Sequence, residues 1–136
     1  SGTASAYGNI ALYRVDEAKS LDVIKNAESD VVINFNSNEN TRLKEIIIPV
    51  SVINELKMAQ RNLVINTDDL KITILKDLLN IDNVNGYISI KITNKGTSQK
   101  INNLTPISNI YDIEVTKNGQ KVSIPMSVVL VTNGTT

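Results

Sequence analysis

Histidine, cysteine and tryptophan are all missing from the 136 residues, and one phenylalanine and four tyrosines are the whole aromatic content. Without imidazole there is no Ser-His-Asp triad and no His-based acid–base pair or zinc site, and without thiolate there is no cysteine nucleophile, thiolate-bound metal or disulfide. The lack of cysteine leaves the redox compartment open, because exported bacterial proteins also do without it. Neither sign of charge dominates: fourteen basic residues balance fourteen acidic ones and are scattered along the chain. The basic stripe that nucleic acid or an anionic membrane would call for is therefore absent. No stretch approaches the roughly 20 apolar residues needed to cross a bilayer, and the opening SGTASAYG lacks the basic-then-apolar order of a signal peptide. Residues 1–8 read as an expression scar and linker, and 133–136 as a C-terminal linker.

Between them, 9–132 read as a single α+β module that folds on its own, with 41% hydrophobic and 21% charged residues in the chain as a whole. Asparagine occurs 18 times and isoleucine 19 times, a bias that suits turns and half-buried strand faces. The segment IYDIEVTKNGQKVSI centres on Asn118-Gly119, the pair preferred in a two-residue type I′ turn, and predicts a hairpin. Its register sets Lys117 opposite Gln120, Val115 opposite Val122, Ile113 opposite Ile124 and Tyr111 opposite Met126. The following MSVVLVT is expected to prolong the return strand, with Pro125 at a bulge or edge. Upstream, YISIKIT alternates, with Ile88, Ile90 and Ile92 inward and Tyr87, Ser89 and Lys91 outward. A long polar connection, NKGTSQKINNLTPISN, joins the two and is the expected mobile loop.

The first 80 residues hold a weak internal duplication. DVVIN from Asp30 recurs as NLVIN from Asn62, and each copy leads to an LK-initiated strand at Leu43 and Leu70. Before each lies a helical pattern, over 17–27 and 50–60, the second preceded by Pro49. A short helical turn is expected at 76–79. The fold class that follows is α+β: antiparallel β-hairpins, built from the helix-strand-strand duplication, with two or three short helices packed on a sheet.

Few motifs carry chemistry. Paired carboxylates suit glycoside hydrolysis, and Asp16-Glu17 and Asp68-Asp69 are adjacent pairs, but chain neighbours diverge and turns favour Asp for backbone reasons. The run IDNVNGY from Ile81 resembles the start of a calcium loop, yet the two strongest ligand positions, 81 and 92, are both Ile. Asn103-Leu104-Thr105 and Asn133-Gly134-Thr135 match a glycosylation pattern that an Asn-rich chain produces by chance. Tyr87, on the polar face of its strand, with Lys91 beside it, is the candidate ligand-binding position. No catalytic, metal or cofactor-binding residue is expected.

IIIPVSVINELKMAQRNLVINTDDLKITILKDLL, followed by YISIKI and ISNIYDIEVTKNGQKVSI, resembles a recurrent non-catalytic module found beside S-layer homology repeats in Gram-positive cell-surface and cellulosome-associated proteins, over about residues 16–131. The resemblance implies an extracellular, cell-surface module, structural or adhesive, serving as a spacer or a protein–protein contact. Its expected partners are neighbouring modules, another surface protein or a polysaccharide, with no nucleic acid and no membrane insertion. Carbohydrate binding through Tyr87 is the alternative.

Overall fold

In a computed structural model the chain is described over residues 2–7, 10–35, 42–67, 70–76, 85–97, 109–123 and 126–130. The element order is β1 (Gly2–Tyr7), β2 (Ile10–Val15), α1 (Glu17–Lys25), β3 (Val31–Asn34), β4 (Leu43–Pro49), α2 (Val50–Ala59), β5 (Leu63–Asn66), β6 (Leu70–Ile74), β7 (Tyr87–Thr97), β8 (Asn109–Lys117), β9 (Gln120–Lys121) and β10 (Met126–Leu130). The strands form two mixed sheets: β1-β2-β4-β7-β8-β9, here sheet A, and β10-β6-β5-β3, sheet B. The expected α+β class and the helix and strand order of the duplication are both present.

Period-two alternation explains why the sheets face each other. Sheet A turns Ala11, Tyr13, Val15, Ile46, Ile48, Ile88, Ile90 and Ile92 inward, and sheet B turns Val31, Ile33, Leu63, Ile65, Leu70, Ile72 and Ile74 inward, all into one core. Phe35, at the end of β3, is 1% exposed and meets Tyr13 of β2 edge-on, with ring centroids 4.9 Å apart. Both helices contribute to the same core, α1 through Ile24 and α2 through Val50, Val52, Ile53 and Leu56.

The repeat pairs differently from the expected hairpins. β3 and β4 belong to different sheets: β4 runs parallel to β2 with Leu43 opposite Ile10, and β3 runs parallel to β5 with Val31 opposite Leu63. Each copy is thus a β-α-β unit that starts in sheet A and ends in sheet B, and the two copies lie side by side. Only the second copy continues directly into a hairpin, β5–β6. The DVVIN and NLVIN segments are bonded to each other: Asn62 N–H and Nδ2 donate to the Asp30 carboxylate at 3.3 and 3.5 Å, and Asn66 Nδ2 donates to Asn34 Oδ1 at 3.1 Å. Arg61 Nε adds a bond to the Ala27 carbonyl at 3.2 Å, tying one copy to the end of the other's helix.

Three other expectations change. Residues 2–7, read as linker, pair antiparallel with β2 along their whole length. β7 runs on to Thr97 with a register shift between Asn94 and Thr97, so the first part of the polar connection is strand. Met126–Leu130 does not prolong the hairpin but crosses to sheet B, where Met126 lies opposite Ile74 rather than Tyr111. The helical turn at 76–79, Ile124 and Pro125 fall wholly or mostly outside the described residues.

One local feature invites a measurement. Ser51, in the first turn of α2, has a buried Oγ without a hydrogen-bond partner among the described residues. An unpaired buried hydroxyl carries its desolvation cost, and alanine is the better helix former. Ser51→Ala should therefore stabilise the fold by about 1 kcal/mol, seen as a higher urea midpoint with an unchanged slope.

Candidate functional site

The outer face of sheet A holds both residues singled out above. β7 lies between β4 and β8, and its outward residues have fixed neighbours: Tyr87 beside Pro49, Ser89 between Ile47 and Thr116, and Lys91 between Glu45 and Glu114. Tyr87 is 57% exposed. It is held from behind by the hairpin tip, because Tyr87 N–H donates to Asn118 Oδ1 at 3.1 Å and Asn118 N–H donates to the Tyr87 carbonyl at 3.1 Å. The tip itself is the predicted turn, with φ of 51° at Asn118 and 84° at Gly119 and Lys117 opposite Gln120. Asn118 therefore serves the turn through its backbone and positions Tyr87 through its amide.

Among the described side chains Tyr87 is the one aromatic on this face. Tyr13 and Phe35 are in the core, and Tyr111 packs against it from the inner face. Burial raises the Tyr13 hydroxyl pKa above its ordinary value by penalising the phenolate. Sugar-binding platforms stack rings on aromatic faces, and this one offers a single ring.

Lys91 stands between two carboxylates on adjacent strands, an opposite-charge cross-strand arrangement that favours the sheet. Ser89 Oγ donates to Glu45 Oε2 at 2.6 Å and fixes one of those carboxylates. Glu45 and Glu114 are two strand spacings apart, roughly 10 Å between backbones, with the Lys91 position of β7 between them. Asp16, half of one adjacent acidic pair, caps α1: its Oδ1 accepts from Lys19 N–H at 2.9 Å. Asp16→Ala should cost about 1 kcal/mol in a denaturation experiment, the effect expected of a cap. Asp68 and Asp69 lie outside the described residues, as do 81–84 of the calcium-like run and both glycosylation-type triplets. Among the described residues no group of three or more His, Cys, Asp or Glu side chains could hold a metal ion, and no described helix is long and apolar enough to cross a membrane.

Sequence reading missed a cleft of about 280 Å³ at one margin of the sandwich, lined by Ile113, Val115, Val122, Ser123, Met126 and Val128. It exists because β10 leaves the hairpin for sheet B and opens against β8. The Ile/Val pattern was visible, but not the change of sheet. Also missed was the Asn34–Asn66 bond. Its signal was present in the sequence, since the two asparagines close the two copies of one motif.

Over 132 residues, 95% of this chain, the sequence is 24% identical to the amylopullulanase of Thermoanaerobacterium thermosulfurigenes. The chain spans about 7% of the length of that protein. No protein-family profile matches the chain, and no solved structure matches it.

Proposed function

We propose that this chain is a non-catalytic structural or adhesive module of an exported bacterial cell-surface protein, acting as a spacer or a protein–protein contact beside other modules. The observation that carries this reading is the relation of lengths: nearly the whole chain aligns with a small slice of a much longer protein. A self-sufficient core built from both copies of the repeat suits a unit carried within a larger polypeptide. The residue chemistry agrees, since the half-buried carboxylates of Glu45 and Glu114 lie on strands separated by that of Lys91 and one is bonded to Ser89.

Carbohydrate binding through Tyr87 and Lys91 is kept as a second reading because the relative is named amylopullulanase and Tyr87 is exposed and held in place. Retention assays separate the two. The chain is incubated with insoluble cellulose, xylan, purified cell wall and immobilised pullulan, with Tyr87→Ala in parallel. The structural reading expects equal, background retention of both proteins on every glycan. Retention that Tyr87→Ala abolishes would replace it with the binding reading.

A further inference from the structure

Every strand of the repeat has a parallel repeat-mate on one edge, and three of the four have an antiparallel strand on the other: β1 on β2, β7 on β4 and β6 on β5. β3 is the exception, because no described strand pairs with its second edge. Among the described strands that edge is open, and its backbone groups are set for pairing. Val31 N–H donates to the Asn62 carbonyl at 3.0 Å and Phe35 N–H to the Asn66 carbonyl at 2.6 Å, on the β5 side. The alternation of strand bonding then turns the N–H and C=O groups of Val32 and Asn34 outward. The Val32 side chain is 53% exposed. Asn34 Oδ1 is taken by Asn66, which leaves its Nδ2 to donate to a further neighbour.

The opposite sheet fixes the width of the opening. The Tyr13–Phe35 contact sets β2 across from β3, and sheet A continues one strand beyond β2, to β1. Among the described strands, the open edge of β3 thus lies on the side where β1 extends sheet A, with one strand position beside it opposite β1. A second copy pairing β3 antiparallel on β3 would bring its own β2 to where β1 already runs. A lone extended strand meets no such obstacle.

We propose that the outer edge of β3 receives a single extended peptide strand, antiparallel to it, from an adjoining polypeptide module. The strand that fits carries an apolar side chain beside Val32 and a side-chain oxygen acceptor, as on Asn, Asp or Thr, beside Asn34. This gives the module contact proposed above a physical edge, and it rests on that reading for the source of the strand. Recognition is by main-chain bonds, with the side chains setting the register.

The template for a probe is already in the sequence. β6 pairs antiparallel with β5, the repeat-mate of β3, with Ile72 opposite Ile65 and Lys71 opposite Asn66. A synthetic peptide LNIVIL, the sequence of residues 70–75 with Lys71→Asn and Thr73→Val so that an oxygen acceptor falls opposite Asn34 and an apolar side chain opposite Val32, and with lysines appended for solubility, should pair with β3 in the same register. Amide hydrogen exchange of the whole chain is followed by NMR with and without the peptide. The expected result is at least tenfold slower exchange at Val32 and Asn34, with Val31 and Ile33 little changed. Val32→Pro removes the outward N–H and leaves the bonds to β5, so it should abolish the effect while Ile46 and Ile65 remain protected; if that variant fails to fold, the native chain still decides.

Unchanged exchange at Val32 and Asn34 with millimolar peptide would overturn the proposal. So would slow exchange in the peptide-free chain, which means the edge is occupied by the chain's own residues, or protection that grows with protein concentration, which means a second copy takes it. Glycan retention through Tyr87 would sink the spacer reading without altering any of these amide readings, so the two failures are distinguishable.

Discussion

Phe35→Ala is expected to cost about 3–5 kcal/mol, the largest single loss considered for this chain. The ring is 1% exposed, and it closes the sandwich where β3 lies against β2, edge-on to Tyr13 with an interplanar angle of 66°. Truncation removes its buried surface, leaves a cavity that two hydrogen-bonded sheets cannot easily collapse, and forfeits the aromatic contact. A small domain has only about 5–15 kcal/mol to lose, so a large part of its stability should vanish and the melting midpoint should fall by roughly 10 °C or more. Urea unfolding followed by circular dichroism measures it. Phe35→Leu, which retains most of the volume, should lose less than half as much. Equal losses for the two substitutions would mean that the ring geometry, not the filled volume, holds the edge.

Gly86→Ala should also be costly, for a different reason. Gly86 has φ of +103°, beyond the left-handed well that non-glycine residues tolerate. A Cβ there would also collide with the Asn118 side chain. The glycine carbonyl accepts from Val50 N–H at 3.0 Å at the start of α2, so its backbone cannot shift without disturbing both the helix and the hairpin tip. Backbone strain of this kind costs about 1–3 kcal/mol, and the collision adds to it. The two parts separate in a double variant. Asn118→Gly keeps the positive φ of the turn but removes the obstructing amide, so Gly86→Ala should cost less in that background. Additivity would show that the collision contributes nothing.

Much of the fold was legible in the sequence because its causes are local. Asn118-Gly119 predicts the turn and its register since both positions need positive φ. Alternation in YISIKIT divides Ile88, Ile90 and Ile92 from Tyr87, Ser89 and Lys91, and burial follows that division. The spacing of Leu21 and Ile24, and of Val52, Ile53 and Leu56, gave both helices. Asp16 was legible as a carboxylate but became a cap only when α1 began beside it.

What failed were the pairings between distant segments. DVVIN and LKEIII look like a hairpin because they are successive strands joined by a polar turn, yet each finds a better partner in the other copy of the repeat, where branched aliphatic side chains align in parallel over the core. MSVVL looks like the rest of a return strand, yet it joins β6. Pattern says that a strand has an apolar face; it does not say which of two apolar sheets that face will cover.

For Tyr87 and Lys91, the sequence alone determined which side of their strand they occupy, because side chains alternate along any extended backbone. Only the tertiary structure decided their company: Asn118 and Pro49 for the tyrosine, Glu45 and Glu114 for the lysine. The same holds for the open edge of β3. Its four residues were readable as a strand from the outset, but that one edge has no described partner depends on how all the others were paired, and that is settled by the packing of two sheets against one core.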